Sequence, residues 1–150
     1  MPYLVDGNNL LGLATGKSRP SEQERRELLR RIADRLRAER GRVLVVFDGP
    51  SESGRSESAL GTLTVRYSGN RSADDVIVEA ASRSRAPADQ FVVTDDRALA
   101  ARAREAGART LPAGTFLDRI SRPAGAEGKR DSVDVDDWVG FFSDDRNRLP

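Results

Sequence analysis

The chain has 150 residues and a mass of 16.4 kDa, the size of one domain with a short tail. It contains no histidine and no cysteine, which excludes Ser-His-Asp and Cys-His nucleophile systems, histidine general bases, thiolate or imidazole zinc sites and disulfides; carboxylate, amide, hydroxyl, Lys and Arg remain, groups that suit hard cations such as Mg2+ or Mn2+. Lys and Arg number 25 against 24 Asp and Glu, a net charge of +1 that divides into +3 over residues 1–120 and −2 over 121–150, a weak lean toward an anionic partner and far from the basic excess of a nucleic-acid coat.

Tyr3-Leu4-Val5 is an apolar run that stops at Asp6-Gly7-Asn8-Asn9, a dense turn signal. Ser21 with Glu24 three residues on forms a capping box, and Leu28, Leu29, Ile32, Ala33 and Leu36 then recur at helical spacing until Gly41. Val43–Phe47 is a continuous run of β-formers, as expected of a strand buried on both faces, and it ends at Asp48-Gly49-Pro50. Residues 51–61 are rich in Ser, Gly and Glu and read as a mobile loop. Leu63, Val65 and Tyr67 alternate with polar residues, the pattern of a half-exposed strand. Ser72 can cap a helix running to Ser84, with Val76, Ile77 and Ala80 on one face. Phe91-Val92-Val93 is another buried strand, ending at Thr94-Asp95-Asp96, and a helix follows to Ala106, closed by Gly107. A short strand at 109–111 and a helix at 113–120 complete the series. From Ser121 to Asp131 the composition is that of a linker. Val133 to Phe142 is a short amphipathic segment carrying Trp138.

Helices alternating with short apolar strands predict an α/β fold, a parallel sheet covered by helices on both faces. Right-handed crossovers then place the strand-to-helix loops at one edge. The expected organisation is a domain over residues 1–120 followed by the linker and amphipathic segment over 121–150.

The acids fall where such a sheet binds ligands, outside the carboxyl ends of its strands. Val5 runs into Asp6, Phe47 into Asp48 and Thr94 into Asp95-Asp96, while Asp74 and Asp75 occupy the first turn of a helix that follows a strand. Any one of these is by itself an ordinary turn former or helix cap. Four separate segments delivering carboxylates to one edge are harder to read that way. Two like charges about 4 Å apart repel by about 4 kcal/mol at an effective dielectric of 20, and helix N-termini offset only about 0.3–1 kcal/mol per acid. A divalent cation is the economical counter-charge. Held by few carboxylates it keeps positions open for water and phosphate oxygens, the arrangement for metal-assisted phosphodiester hydrolysis.

Tyr3-Leu4-Val5-Asp6-Gly7-Asn8-Asn9, Val45-Val46-Phe47-Asp48, Ser72-Ala73-Asp74-Asp75-Val76-Ile77 and Val92-Val93-Thr94-Asp95-Asp96-Arg97, in that order, resemble the NYN branch of the PIN-like nucleases and its YacP-like members. The resemblance covers about residues 1–120. It implies a PIN-like three-layer αβα sandwich with a central, mostly parallel sheet, and an endoribonuclease activity dependent on Mg2+ or Mn2+. Carried over by position, it makes Asp6, Asp48, Asp74 and Asp96 the catalytic acids and Asp6, Asp74, Asp75 and Asp96 the metal ligands. Asp96 rather than Asp95 occupies the acid position of the family's Ser/Thr-x-Asp signature. Asp75 matches the second acid of the Ala-Asp-Asp form in related 5′-nucleases. Those nucleases often carry a further acid where this chain has Ala98, which leaves one metal and two metals both open. Trp138-Val139-Gly140-Phe141-Phe142 is similar to a C-terminal tail of short YacP-like proteins.

An RNA substrate needs cations beside the acids to hold flanking phosphates. Arg71 and Arg97 adjoin the acid motifs, Arg55 lies in the loop after Asp48, and Lys17 and Arg19 follow Asn9. Asn8 is either a turn residue or a contact to phosphate or metal-bound water. The Arg-rich helix from Glu22 reads as a solvated face laced with ion pairs. Two alternatives stand beside the ribonuclease. One is a non-catalytic RNA- or ribosome-associated binding protein of the same fold. The other is a haloacid-dehalogenase-like phosphatase, which shares Val5-Asp6-Gly7 but wants an acid where Asn8 stands. The Trp138 segment folds back on the domain, docks in trans in a homodimer, or meets a ribosome or other protein partner. With no apolar run of about 18 residues and no N-terminal leader pattern, the expected location is the cytoplasm, away from the membrane.

Overall fold

Strands as apolar as Val43–Phe47 need cover on both faces, and the chain supplies it with helices packed on either side of one sheet. The computed structural model describes residues 2–37, 42–51 and 54–121. Its elements are β1 (Tyr3–Asp6), α1 (Gly7–Thr15), α2 (Glu22–Arg37), β2 (Val43–Phe47), β3 (Glu57–Leu60), β4 (Leu63–Tyr67), α3 (Ala73–Arg83), a single 3-10 turn (Pro87–Asp89), β5 (Phe91–Val93), α4 (Arg97–Glu105), β6 (Arg109–Leu111) and α5 (Ala113–Ser121). The strands form one six-stranded sheet in the order β3-β4-β2-β1-β5-β6. All neighbours are parallel except β3, which runs antiparallel to β4.

Strand alternation sorts the core into two layers. Tyr3, Val5, Val43, Val45, Phe47, Phe91 and Val93 pack against Leu10 and Leu11 of α1, Leu28, Ile32 and Leu36 of α2, and Phe116 and Ile120 of α5. Leu4, Val46 and Val92 point the other way, onto Val76 and Ile77 of α3 and Leu99 and Ala103 of α4. The result is the three-layer α/β sandwich with a mostly parallel sheet. β1 lies between β2 and β5. The chain builds outward on one side of β1 and then crosses to the other, and the crevice of a doubly wound sheet opens at such a reversal.

Two elements differ from expectation. Asp6-Gly7-Asn8-Asn9 is not a free turn: α1 begins at Gly7 directly after β1, with Asp6 in the N-cap position. Gly16, at φ 69°, ends it in a left-handed C-cap whose N–H donates to the Gly12 carbonyl. The expected loop over 51–61 contains β3, whose four residues are all exposed. It turns through Gly61 (φ 63°) into β4, and Arg66 pairs with Glu57 across the hairpin at 3.0 Å. The capping box of α2 forms as expected: the Ser21 N–H donates to Glu24 Oε1 at 2.8 Å and the Glu24 N–H to Ser21 Oγ at 3.1 Å. Arg25 departs from the solvated-face reading of α2, since its guanidinium lies 5.0 Å from the Phe47 ring centroid. The Gly41 stop and the 122–150 segment with Trp138 lie outside the described residues.

Gly7 is where β1, α1 and β2 meet most tightly. A Cβ there would lie 2.7 Å from Phe47 Cε1 and 2.9 Å from the Val46 carbonyl oxygen. The backbone oxygen cannot yield as a side chain can. Gly7→Ala therefore costs about 1–3 kcal/mol, the usual range for overpacking. Urea unfolding would register this as a lower midpoint at unchanged slope.

Candidate active site

The pleat that sorts the core also aims the polar residues. Asp6, Asp48 and Thr94 each come two positions after a residue facing α3 and α4, namely Leu4, Val46 and Val92. They emerge on that same face, at the carboxyl ends of β1, β2 and β5. α3 begins there, with Ser72 as its N-cap accepting from the Asp75 N–H, and with Asp74 and Asp75 in its first turn.

The centre of the arrangement is the Thr94 hydroxyl. It donates to Asp6 Oδ2 at 2.9 Å and accepts the Asp96 N–H at 3.0 Å. One buried side chain thus fixes the acid of β1 relative to the acid of α4. Asp6 is only 8% exposed. Burial pushes its pKa from the ordinary 3.8 up to about 6, and the charges of Asp74 and Asp96 push the same way, while the Thr94 bond and the nearby Asn9 backbone N–H oppose them. Asp74 is also raised, by its own burial and then by Asp96, with Asp48 and Asp75 adding and Arg102 opposing. Asp6, Asp48, Asp74 and Asp96 therefore share one electrostatic field.

The ordinary cap roles are present as well. Asp48 Oδ1 accepts from the Ala73 N–H at 2.9 Å and from Ser68 Oγ at 3.3 Å, which ties β2 to the start of α3. Asp96 Oδ1 accepts from the N–H groups of Ala98 and Leu99 at 2.9 and 3.2 Å, capping α4. Each of these bonds uses one oxygen, Oδ1. Among the described residues no hydrogen bond is made to Oδ2 of Asp48 or of Asp96. No group of three or more acids among the described residues is arranged to hold a metal ion directly. Hard carboxylate oxygens in a partly buried, mutually repelling cluster fit a divalent cation that keeps part of its water.

The other candidates divide. Asn8 Oδ1 accepts the Asp48 N–H at 2.7 Å, a brace between α1 and β2. Asn9 makes the matching brace toward β5, accepting the Asp95 N–H at 2.9 Å. Asp95 in turn accepts from the Ala113 N–H at 2.9 Å, at the start of α5. Asp75 is exposed and pairs with Arg102 of α4 at 2.9 Å, which holds its carboxyl below the usual range. Arg71 meets both oxygens of Glu79 at 3.2 Å. Arg97 is exposed at the first position of α4. Arg55 is exposed just before Ser56, whose carbonyl accepts the Tyr67 N–H at the carboxyl end of β4. Lys17 pairs with Glu24 at the start of α2, at 3.0 Å. Thr94 and Asn9 were not singled out by sequence. Thr94 had a signal, the hydroxyl of the Ser/Thr-x-Asp pattern, whereas Asn9 looked like more of the same turn.

A family described as the YacP-like NYN domain matches residues 3–134. Among solved structures, Rae1 (YacP) from Bacillus subtilis is similar, at 21% identity and a TM-score of 0.70 over 95% of this chain and 87% of that one. A Trp-to-Leu variant of the same protein matches at 25% identity and a TM-score of 0.64, over 79% and 74% of the two chains. No curated protein matches the chain.

Two outcomes follow from the Thr94 link and the burial of Asp6. Thr94→Val removes a bond that favours the ionised carboxylate, so the Asp6 pKa moves further above about 6, as carboxyl NMR titration would show. The second concerns stability. A carboxyl whose folded pKa exceeds its unfolded 3.8 binds its proton more tightly when folded, so its ionisation opposes folding. The penalty is absent below the unfolded value and complete above about pH 6. At 1.36 kcal/mol per unit its ceiling is about 3 kcal/mol, less relaxation. In the absence of divalent metal, Asp6→Asn is therefore more stable than the parent at pH 8 by about 1–3 kcal/mol, with the gap closing near pH 3 in urea unfolding.

Proposed function

The chain belongs to the YacP-like NYN domain family, a family of PIN-like, nuclease-type and RNA-related domains, and from that premise we propose that it is a divalent-metal-dependent endoribonuclease. The observation that carries the reading is the Thr94 hydroxyl joined to both Asp6 and Asp96, with Asp74 in the same field. Asp6, Asp74 and Asp96 would hold Mg2+ or Mn2+; the resemblance adds Asp75, whose pairing with Arg102 is taken up below. When bound, the ion supplies a Lewis acid for the phosphoryl oxygen and lowers the pKa of an attacking water.

The chain's own residues do the rest. Asp48, fixed by the start of α3 through one oxygen, presents the other to accept a proton from the attacking water. Thr94 keeps Asp6 oriented and favours its ionised form. Arg71, braced by Glu79, together with Arg97 and Arg55, binds phosphates flanking the scissile bond. The Asn8 carbonyl oxygen is engaged by Asp48, which leaves its amino group to donate to a phosphate. RNA is the proposed partner and the cytoplasm the proposed location; among the described residues no helix is long and apolar enough to cross a membrane. The nuclease unit would comprise residues 1–120, with 121–150 as an appended segment that contacts the domain, a second copy in a homodimer, or a ribosomal or other protein surface.

One observation favours a second reading, RNA binding without cleavage: Asp48 and Asp96 each use Oδ1 to hold the start of a helix, a role that serves the fold without any metal. Incubating purified protein with end-labelled single-stranded RNA in Mg2+, Mn2+ or EDTA separates the two. The endoribonuclease cleaves internally only with metal, and Asp6→Asn or Asp96→Asn lowers the rate at least about a hundredfold, the scale of several kcal/mol of charge stabilisation, while RNA binding persists. Undiminished cleavage by Asp6→Asn, or cleavage in EDTA, contradicts it. Binding without cleavage in every metal supports the second reading.

A further inference from the structure

Asp74 and Asp75 are adjacent in the first turn of α3 but have different surroundings. Asp74 is partly buried and faces the field of Asp96 and Asp48. Asp75 is exposed, and its Oδ1 is held at 2.9 Å by Nη2 of Arg102, a bond between two residues 27 positions apart that spans α3 and α4. Arg102 is also the cation that acts on Asp74, against the carboxylates around it. Arg102 thus contacts one carboxylate and acts electrostatically on the other from the same position on α4. The pair is about half exposed on both sides, 45% and 50%. Such surface pairs contribute little to folding, which leaves the position of the Arg102 charge as its consequence.

We propose that Asp75 is a positioning residue: by pairing with Arg102 it keeps that guanidinium from closing onto Asp74, and so keeps the Asp74 carboxylate available to a divalent cation. This rests on the endoribonuclease reading for the cation, and on geometry alone for the latch. Asp75 acts wholly through Arg102 and does not touch the ion. Removing it sets an uncompensated positive charge beside the acids, and removing Arg102 as well cancels that charge.

The account makes opposite predictions from a ligand role, where loss of Asp75 cannot be repaired from α4. Mn2+ binding to the full chain, followed by isothermal titration, weakens about tenfold in Asp75→Asn, the scale of one added charge a few ångströms away at a high effective dielectric. Asp75→Asn/Arg102→Gln returns to within about threefold of the parent, and Arg102→Gln alone binds at least as tightly as the parent. A crystal structure of metal-free Asp75→Asn shows the Arg102 guanidinium on the Asp74 carboxylate. A double variant as weak as Asp75→Asn makes Asp75 a ligand and overturns the proposal, as does an Arg102 side chain turned to solvent in Asp75→Asn. If the parent chain binds no Mn2+, the endoribonuclease reading fails, and the metal-free Asp75→Asn structure alone decides the latch.

Discussion

The site is organised around a carboxylate at the end of the central strand. Asp6 is nearly enclosed, and Thr94 donates to it from the neighbouring strand. A charge in that position works against folding at neutral pH, and its raised pKa records the strain. The core has to offset it. Leu4, Val46 and Val92, on three adjacent strands, are buried on the same face, and burial of each contributes about 1.5–3 kcal/mol. A chain selected for stability alone has no reason to keep an acid there, whereas the proposed cation site does, because a bound ion would relieve the repulsion among the acids.

Around that carboxylate the same atoms serve the fold and the site. Asp48 starts α3 and Asp96 starts α4, each through Oδ1. The two asparagines at the start of α1 brace outward in opposite directions, Asn8 to β2 and Asn9 to β5, so the strands flanking β1 are held at their carboxyl ends. Asp95 passes the connection on to α5. The acids therefore sit on rigid element ends rather than on loops, and their spacing is set by backbone hydrogen bonds. This is the precision that a site for a small ion requires.

What was legible in the sequence follows from burial. β1, β2 and β5 are covered on both faces, so they read as unbroken apolar runs, and the acids that end them were visible as strand-end carboxylates. α1 was hidden because Gly7, Asn8 and Asn9 belong equally to turns and to helix starts, and Leu10, Leu11 and Leu13 span too few turns to show a period. β3 carries no pattern because neither of its faces is covered; backbone pairing with β4 alone makes it a strand. At the site, the local alphabet gave the acids but not their partners. The Asn9–Asp95 bond joins residues 86 apart and the Arg102–Asp75 pair residues 27 apart. Side chains that meet only through the sheet order leave no mark in the intervening sequence.

The proposed function requires carboxylates from separate segments of the chain to converge on a common divalent-metal site. Anomalous diffraction from crystals soaked in Mn2+ tests it most directly. The expected result is a single dominant peak, or a close pair, at Asp6, Asp74 and Asp96, held directly or through its water. A peak held only by other residues, or none at these three acids at millimolar Mn2+, would contradict it.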